Sequence, residues 1–143
     1  MGFLGLFKDK EKPKKKKLSN RELAFKMAHN IFDDIVMNDE QIIHALNGKN
    51  DAENFFLSVG VLGVTDKRVL YYYQQGSNTG SETIMYDKIV STTFITGYEA
   101  KMGSYIGIAI ELLNGKKRIV RCLDKPDFKD MIKEMIFYIE SKR

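Results

Sequence analysis

The stretch from Phe55 to Tyr73, FFLSVGVLGVTDKRVLYYY, constrains the fold more than any other part of the chain. Its first half sets Val59, Val61, Gly63 and Thr65 on one face and Phe56, Ser58, Gly60, Leu62 and Val64 on the other, the period of two that marks a β-strand. Arg68 to Tyr73 resumes the pattern with β-branched and aromatic residues. Between the halves, Thr65-Asp66-Lys67-Arg68 is a short polar break whose Asp can bond its own backbone and turn the chain. The reading is a β-hairpin. Gly60 and Gly63 remove side chains from an otherwise bulky strand, which marks a sharp bend or the close approach of another backbone. Such a bend suits a small curved sheet.

Two runs carry a family resemblance. Gly63-Val64-Thr65-Asp66-Lys67-Arg68-Val69-Leu70-Tyr71 is followed by Ile84-Met85-Tyr86-Asp87-Lys88-Ile89-Val90-Ser91. Together they resemble the bacterial PH-like domains, particularly the YokE-like group, in which a Thr-Asn/Asp-x-Arg-hydrophobic hairpin precedes an Ile-x-Tyr-x-x-Ile-x-Ser strand. The resemblance spans roughly Gln41 to the C-terminus, and its motifs are structural, not catalytic. It implies a non-enzymatic binding module. In PH domains that bind phosphoinositides, the loop between the first two strands carries a basic cluster; here that loop sets Lys49 against Asp51 and Glu53, a departure that tells against an inositol-phosphate site.

Charge is distributed unevenly. The chain of 143 residues carries a net +4. Residues 1 to 17 hold seven lysines and two acids, a net +5, so the other 126 residues carry a net −1. The basicity belongs to the tail. A folded nucleic-acid module is expected to carry a basic stripe of its own, so this asymmetry argues against one. One cysteine, Cys122, excludes an intramolecular disulfide and fits a reducing compartment, and a cytoplasmic location is the expectation.

The division read from the sequence is a basic, disordered tail over 1–18, an amphipathic helix over 19–38 and a PH-like domain over 39–143. In the tail, Phe3, Leu4, Leu6 and Phe7 precede Lys14, Lys15, Lys16 and Lys17. The apolar run is too short for a signal-peptide core or a bilayer span, and its charges follow it instead of preceding it. Leu6 stands where a myristoylation signal wants Ser or Thr. Two readings stay open: a solvated tail, or a reversible contact with an anionic membrane surface through those eight residues, at about 1 kcal/mol per lysine and a comparable or larger amount per inserted apolar side chain.

Ser19 with Glu22 three residues on has the spacing of a capping box, and it opens a helix from about Asn20 to Met37 with Leu23, Met27, Ile31 and Ile35 as its stripe and Ala24, Ala28, Phe32 and Val36 beside them. That stripe packs on the domain or on a partner. A first strand follows from Gln41 to Leu46, then a turn over Asn47 to Asp51, the central hairpin, and a polar loop from Gln74 to Ser81. Strands are expected over Glu82 to Tyr86 and Lys88 to Thr96, with a flexible connection from Gly97 to Gly103. Ser104 to Leu113 and Lys116 to Leu123 flank Asn114-Gly115, the strongest short hairpin signal. Asp124 suits an N-cap, and Phe128, Met131, Ile132, Met135, Ile136 and Ile139 make the stripe of a final helix. The expected fold is α+β but mainly β: a PH-like, partly open antiparallel barrel of about seven strands with a C-terminal capping helix and an extra N-terminal helix.

Catalytic and metal motifs are not legible. His29 and His44 lie on different expected elements with Cys122 far from both, and no Walker loop, nucleophile elbow or dinucleotide fingerprint occurs. No enzyme, cofactor or metal is expected. Lys116, Lys117, Arg118 and Arg121 form the domain's one dense positive group, either a solvated hairpin tip or a contact for an anionic headgroup or nucleic-acid backbone. The functional expectation is a cytoplasmic adaptor at the inner membrane surface. The alternative is a protein-interaction or self-association module using a sheet edge or the first helix, and nucleic-acid binding is a distant third.

Overall fold

A computed structural model describes residues 17–50 and 58–143. Its elements are α1 (Asn20–Phe32), β1 (Ile42–Gly48), β2 (Ser58–Thr65), β3 (Arg68–Gln75), β4 (Asn78–Met85), a 3-10 turn (Tyr86–Lys88), β5 (Ile89–Glu99), β6 (Gly103–Leu112), β7 (Lys117–Leu123) and α2 (Pro126–Lys142). The strands form two antiparallel sheets, β1-β2-β3-β4 and β5-β6-β7. The expected mainly β, partly open PH-like barrel is what the chain forms. β1 and β7 meet at one bridge, where Lys49 and Arg121 exchange backbone hydrogen bonds of 2.8 Å, and the sheets do not close elsewhere among the described residues.

The core lies between the sheets. Leu46, Leu62 and Leu70 from the first and Ile108 and Ile110 from the second are fully buried together with Ile132, Met135 and Ile139 of α2. Five of the six stripe residues expected for α2 are buried and Ile136 packs partly against them. At roughly 1.5–3 kcal/mol per buried side chain before entropy is subtracted, α2 is a principal stabiliser of the fold.

The N-terminal helix packs on the domain. Its buried line is Ala24, Ala28 and Phe32, one residue round from the expected stripe, and Leu23 and Ile35 face solvent. The two alanines let the helix approach β1 and β2 closely. Phe32 then seats on Gly63, where a Cβ would lie 2.9 Å from its ring. So Gly63 accommodates a side chain from α1, whereas Gly48 is the glycine that admits another backbone, with the Arg121 carbonyl oxygen 2.2 Å from where its Cβ would stand. Asn20 and Arg21 bond Asp127 and Glu134, tying α1 to α2 as well.

Local boundaries depart from the sequence reading in five places. The capping box at Ser19 and Glu22 forms, but α1 stops at Phe32, not Met37, because Arg68 takes the Ile35 carbonyl and Glu40 takes the Met37 amide, drawing the chain into turns. β1 continues to Gly48 through the expected turn, since it pairs with β2 as far as Gly48↔Gly60. The expected loop from Gln74 to Ser81 is a two-residue hairpin instead: Gly76 adopts φ +62°, and Gln75 pairs with Asn78. β5 likewise runs to Glu99, leaving only 100–102 as connection, and Lys125, not Asp124, stands at the N-cap of α2.

Candidate functional site

The motif that carried the family resemblance builds structure. The Thr65 hydroxyl accepts from the Lys67 and Arg68 amides, which fixes the tight turn between β2 and β3. The same hydroxyl donates to Glu40, whose carboxylate is fully buried and also receives Nε and a terminal nitrogen of Arg68 at 2.9 Å each. Arg68, first of all, and then Thr65 and the Met37 amide hold the Glu40 carboxyl down to about 2 against the cost of its burial. Tyr86 donates its hydroxyl to the Thr65 carbonyl, and burial raises its pKa. Thr65, Arg68 and Tyr86 are therefore a clasp joining four segments of chain.

Among the described residues, two of the grooves where the sheets part carry an arginine. The larger, about 450 Å³, is lined by Tyr71 and Tyr73 of β3, Glu82 of β4 and Lys117, Arg118 and Ile119 of β7. Strand alternation places Tyr71 and Tyr73 on one face, with ring centroids 6.3 Å apart. Across it, Arg118 grips Glu82 with parallel hydrogen bonds of 2.7 and 2.8 Å, a fork that staples β7 to β4. The second groove, about 390 Å³, brings Lys49, Lys101 and Arg121 around Met102, Cys122 and Phe128. There Arg121 bonds Glu99 at 3.1 Å and the Asn50 carbonyl at 2.7 Å, and lies 5.5 Å from the Tyr105 ring centroid.

The expected anion-contact group is thus divided. Lys116 and Lys117 are exposed at the β6–β7 hairpin, Arg118 faces the first groove against Glu82, and Arg121 faces the second against Glu99. Sequence spacing did not join Lys49 and Lys101 to Arg121, because three separate strand ends bring them together. Phe3, Leu4, Leu6, Phe7, Lys14, Lys15 and Lys16 lie outside the described residues, and Lys17 is exposed.

Groups with potential chemistry sit in structural settings. Cys122 is buried against the Asn47 carbonyl, and that burial pushes its thiol up to about 12, away from nucleophilic thiolate. His29 pairs with Asp33 at 2.8 Å, while His44 stacks edge-on to Tyr138 and is held below its usual pKa by burial. Among the described residues no three His, Cys, Asp or Glu side chains come together as a metal site.

A family model described as bacterial PH domain matches residues 36–137, a stretch holding every described strand and most of α2. The chain belongs to this family. No curated protein and no solved structure matches it. In this bacterial PH domain α1 precedes the matched stretch yet shares its core through Ala24, Ala28 and Phe32. The family assignment supports a binding module, and no helix among the described residues is long and apolar enough to cross a membrane.

Proposed function

We propose that this bacterial PH domain is a non-enzymatic adaptor that rests on the anionic cytoplasmic face of the membrane through residues 1–17 and presents its folded part to a protein partner. The observation that carries the reading is the segregation of charge: a net +5 in those residues against a net −1 in the other 126. The folded part strengthens the contrast. All five arginines, Arg21, Arg68, Arg118, Arg121 and Arg143, are paired with carboxylates. Internal pairing commits those guanidinium groups to the fold, whereas Phe3, Leu4, Leu6 and Phe7 followed by Lys14 to Lys17 combine an apolar wedge with a polybasic segment. Lys116 and Lys117, projecting from their hairpin, supply a secondary contact.

Co-sedimentation with anionic and neutral vesicles, at low and high salt, tests this. The full chain pellets with anionic vesicles at low salt and is released by high salt, and a chain beginning at Leu18 stays in solution while keeping the full chain's melting temperature. Equal pelleting of both chains overturns the tail as the contact and moves it to the folded part, and pelleting of neither removes the membrane role.

A further inference from the structure

Leu-Asn-Gly-Lys occurs twice in the chain, at 46–49 and at 113–116, and the fold sets the two copies in opposite circumstances. The first runs through the end of β1. Asn47 pairs with Val61 and Gly48 with Gly60, Cys122 donates its thiol to the Asn47 carbonyl, and the Arg121 carbonyl crowds Gly48. The second lies at the exposed tip between β6 and β7. There Gly115 closes a turn on the Leu112 carbonyl at 2.9 Å and takes φ +83°, while Asn114 keeps a negative φ, so a type I turn runs into a left-handed glycine. The Asn114 carboxamide folds back on this turn, its Oδ1 accepting the Lys116 amide at 2.9 Å.

That arrangement brings an electrophile, a nucleophile and a hydrogen-bond donor together. The Lys116 N–H draws charge from the Asn114 side-chain carbonyl and meets the negative charge that grows on Oδ1 when its carbon is attacked. The attacking atom is the Gly115 nitrogen. Glycine has no side chain to screen it, and no atom lies within 4 Å of where a Cβ would stand. We propose that Asn114 is a self-modification site, converting through a cyclic imide to aspartate and isoaspartate. The Gly115 nitrogen bonds to the Asn114 side-chain carbon and gives its proton to solvent base; the bond from that carbon to the side-chain nitrogen breaks, and the nitrogen takes up a proton and leaves as ammonia. Water then adds to one of the two imide carbonyls and reopens the ring, so nothing is oxidised or reduced. The fold opposes this with the turn bond to Leu112, which opens at a hairpin tip for little free energy, whereas Gly48 is freed only with the β1–β2 ladder. The product places a carboxylate beside Lys116 and Lys117. The reaction needs no lipid; its weakening of the hairpin's contact with an anionic surface rests on the membrane reading.

The test holds the full chain folded in mildly alkaline heavy-oxygen water, digests it at intervals and follows the label by peptide mass mapping. Residue 114 takes up label about tenfold faster than residue 47 or more, and in urea the two convert at similar rates because their neighbours are the same. Asn114→Gln, which keeps the amide but would need a larger ring, abolishes labelling of that peptide and keeps the melting temperature. Equal rates at 47 and 114 in the folded chain overturn the proposal, since the turn then contributes nothing. An Asn114 that stays intact while the urea-unfolded chain converts overturns it too, because the turn bond then protects the site, and so does labelling that survives Asn114→Gln.

Discussion

The Arg68 guanidinium holds the buried Glu40 carboxylate through two hydrogen bonds of 2.9 Å, joining the turn after α1 to the β2–β3 hairpin. Burying this pair is costly, so removing one partner leaves an uncompensated charge: Arg68→Met is expected to lose about 3–5 kcal/mol in urea denaturation near neutral pH. A Glu40→Gln chain with the same arginine gives the reciprocal loss, and the double variant Glu40→Gln with Arg68→Met recovers part of it.

The same pair sets a pH dependence. Glu40 titrates from an ordinary 4.5 down to about 2 in the folded chain. A depressed folded pKa favours folding above the unfolded value and loses that contribution as pH falls through the folded one, so the window lies from about 4.5 down to about 2. The full contribution is about 3 kcal/mol, and about 2 kcal/mol of it disappears between roughly pH 6 and pH 3. Denaturation midpoints across that range should fall more steeply for the wild-type chain than for Glu40→Gln, which shares every other carboxylate. Parallel slopes would falsify the assignment.

Phe32 decides whether α1 belongs to the core. Its ring is fully buried on Gly63, so Phe32→Ala is expected to cost about 3–5 kcal/mol, whereas Leu23→Ala on the exposed side changes stability by no more than about 0.5 kcal/mol. Thermal melts of the two variants distinguish an integral helix from an appendage. Gly63→Ala belongs to the same series: the new methyl meets the Phe32 ring, and it should destabilise while leaving the hairpin turn intact.

Those residues also show what could be read before the fold was known. Period-two alternation fixed the strands Ser58–Thr65 and Gly103–Leu112, and Asn114-Gly115 fixed their last hairpin, because the signals are local. The end of α1 was not legible, since its stop is imposed by Arg68, 33 residues away from the Ile35 carbonyl that it takes. The tight turn at Gly76 was hidden among polar residues that also suit a loop. The group Lys116, Lys117, Arg118 and Arg121 reads as one patch along the chain. Strand alternation and the distant carboxylates Glu82 and Glu99 divide it in space.

α2 gives a contrast within one helix. Ile132 is fully buried between the sheets and Phe137 is 78% exposed on the opposite side. Ile132→Asp places an unpaired carboxylate in the core and is expected to abolish folding, seen as loss of near-ultraviolet dichroism and of protected amides. Phe137→Asp should leave the melting temperature unchanged within a few degrees and keep both sheets intact.

Charge reversal separates the two basic regions. Lys14 to Lys17 lie in the tail, and Lys116 and Lys117 stand at the β6–β7 hairpin, with Arg118 beside them committed to Glu82. At about 1 kcal/mol per lysine near an anionic leaflet, reversing four tail lysines to Glu removes more attraction than reversing two hairpin lysines, and adds repulsion on top. Vesicle binding of the full chain should therefore collapse with the tail variant and weaken by about tenfold or more with Lys116→Glu and Lys117→Glu. Salt distinguishes the contributions further: the hairpin variant keeps most of the wild-type salt dependence, because the tail still supplies most of the charge. If the hairpin variant loses binding outright and the tail variant does not, the folded domain is the membrane contact and the tail is a solvated extension.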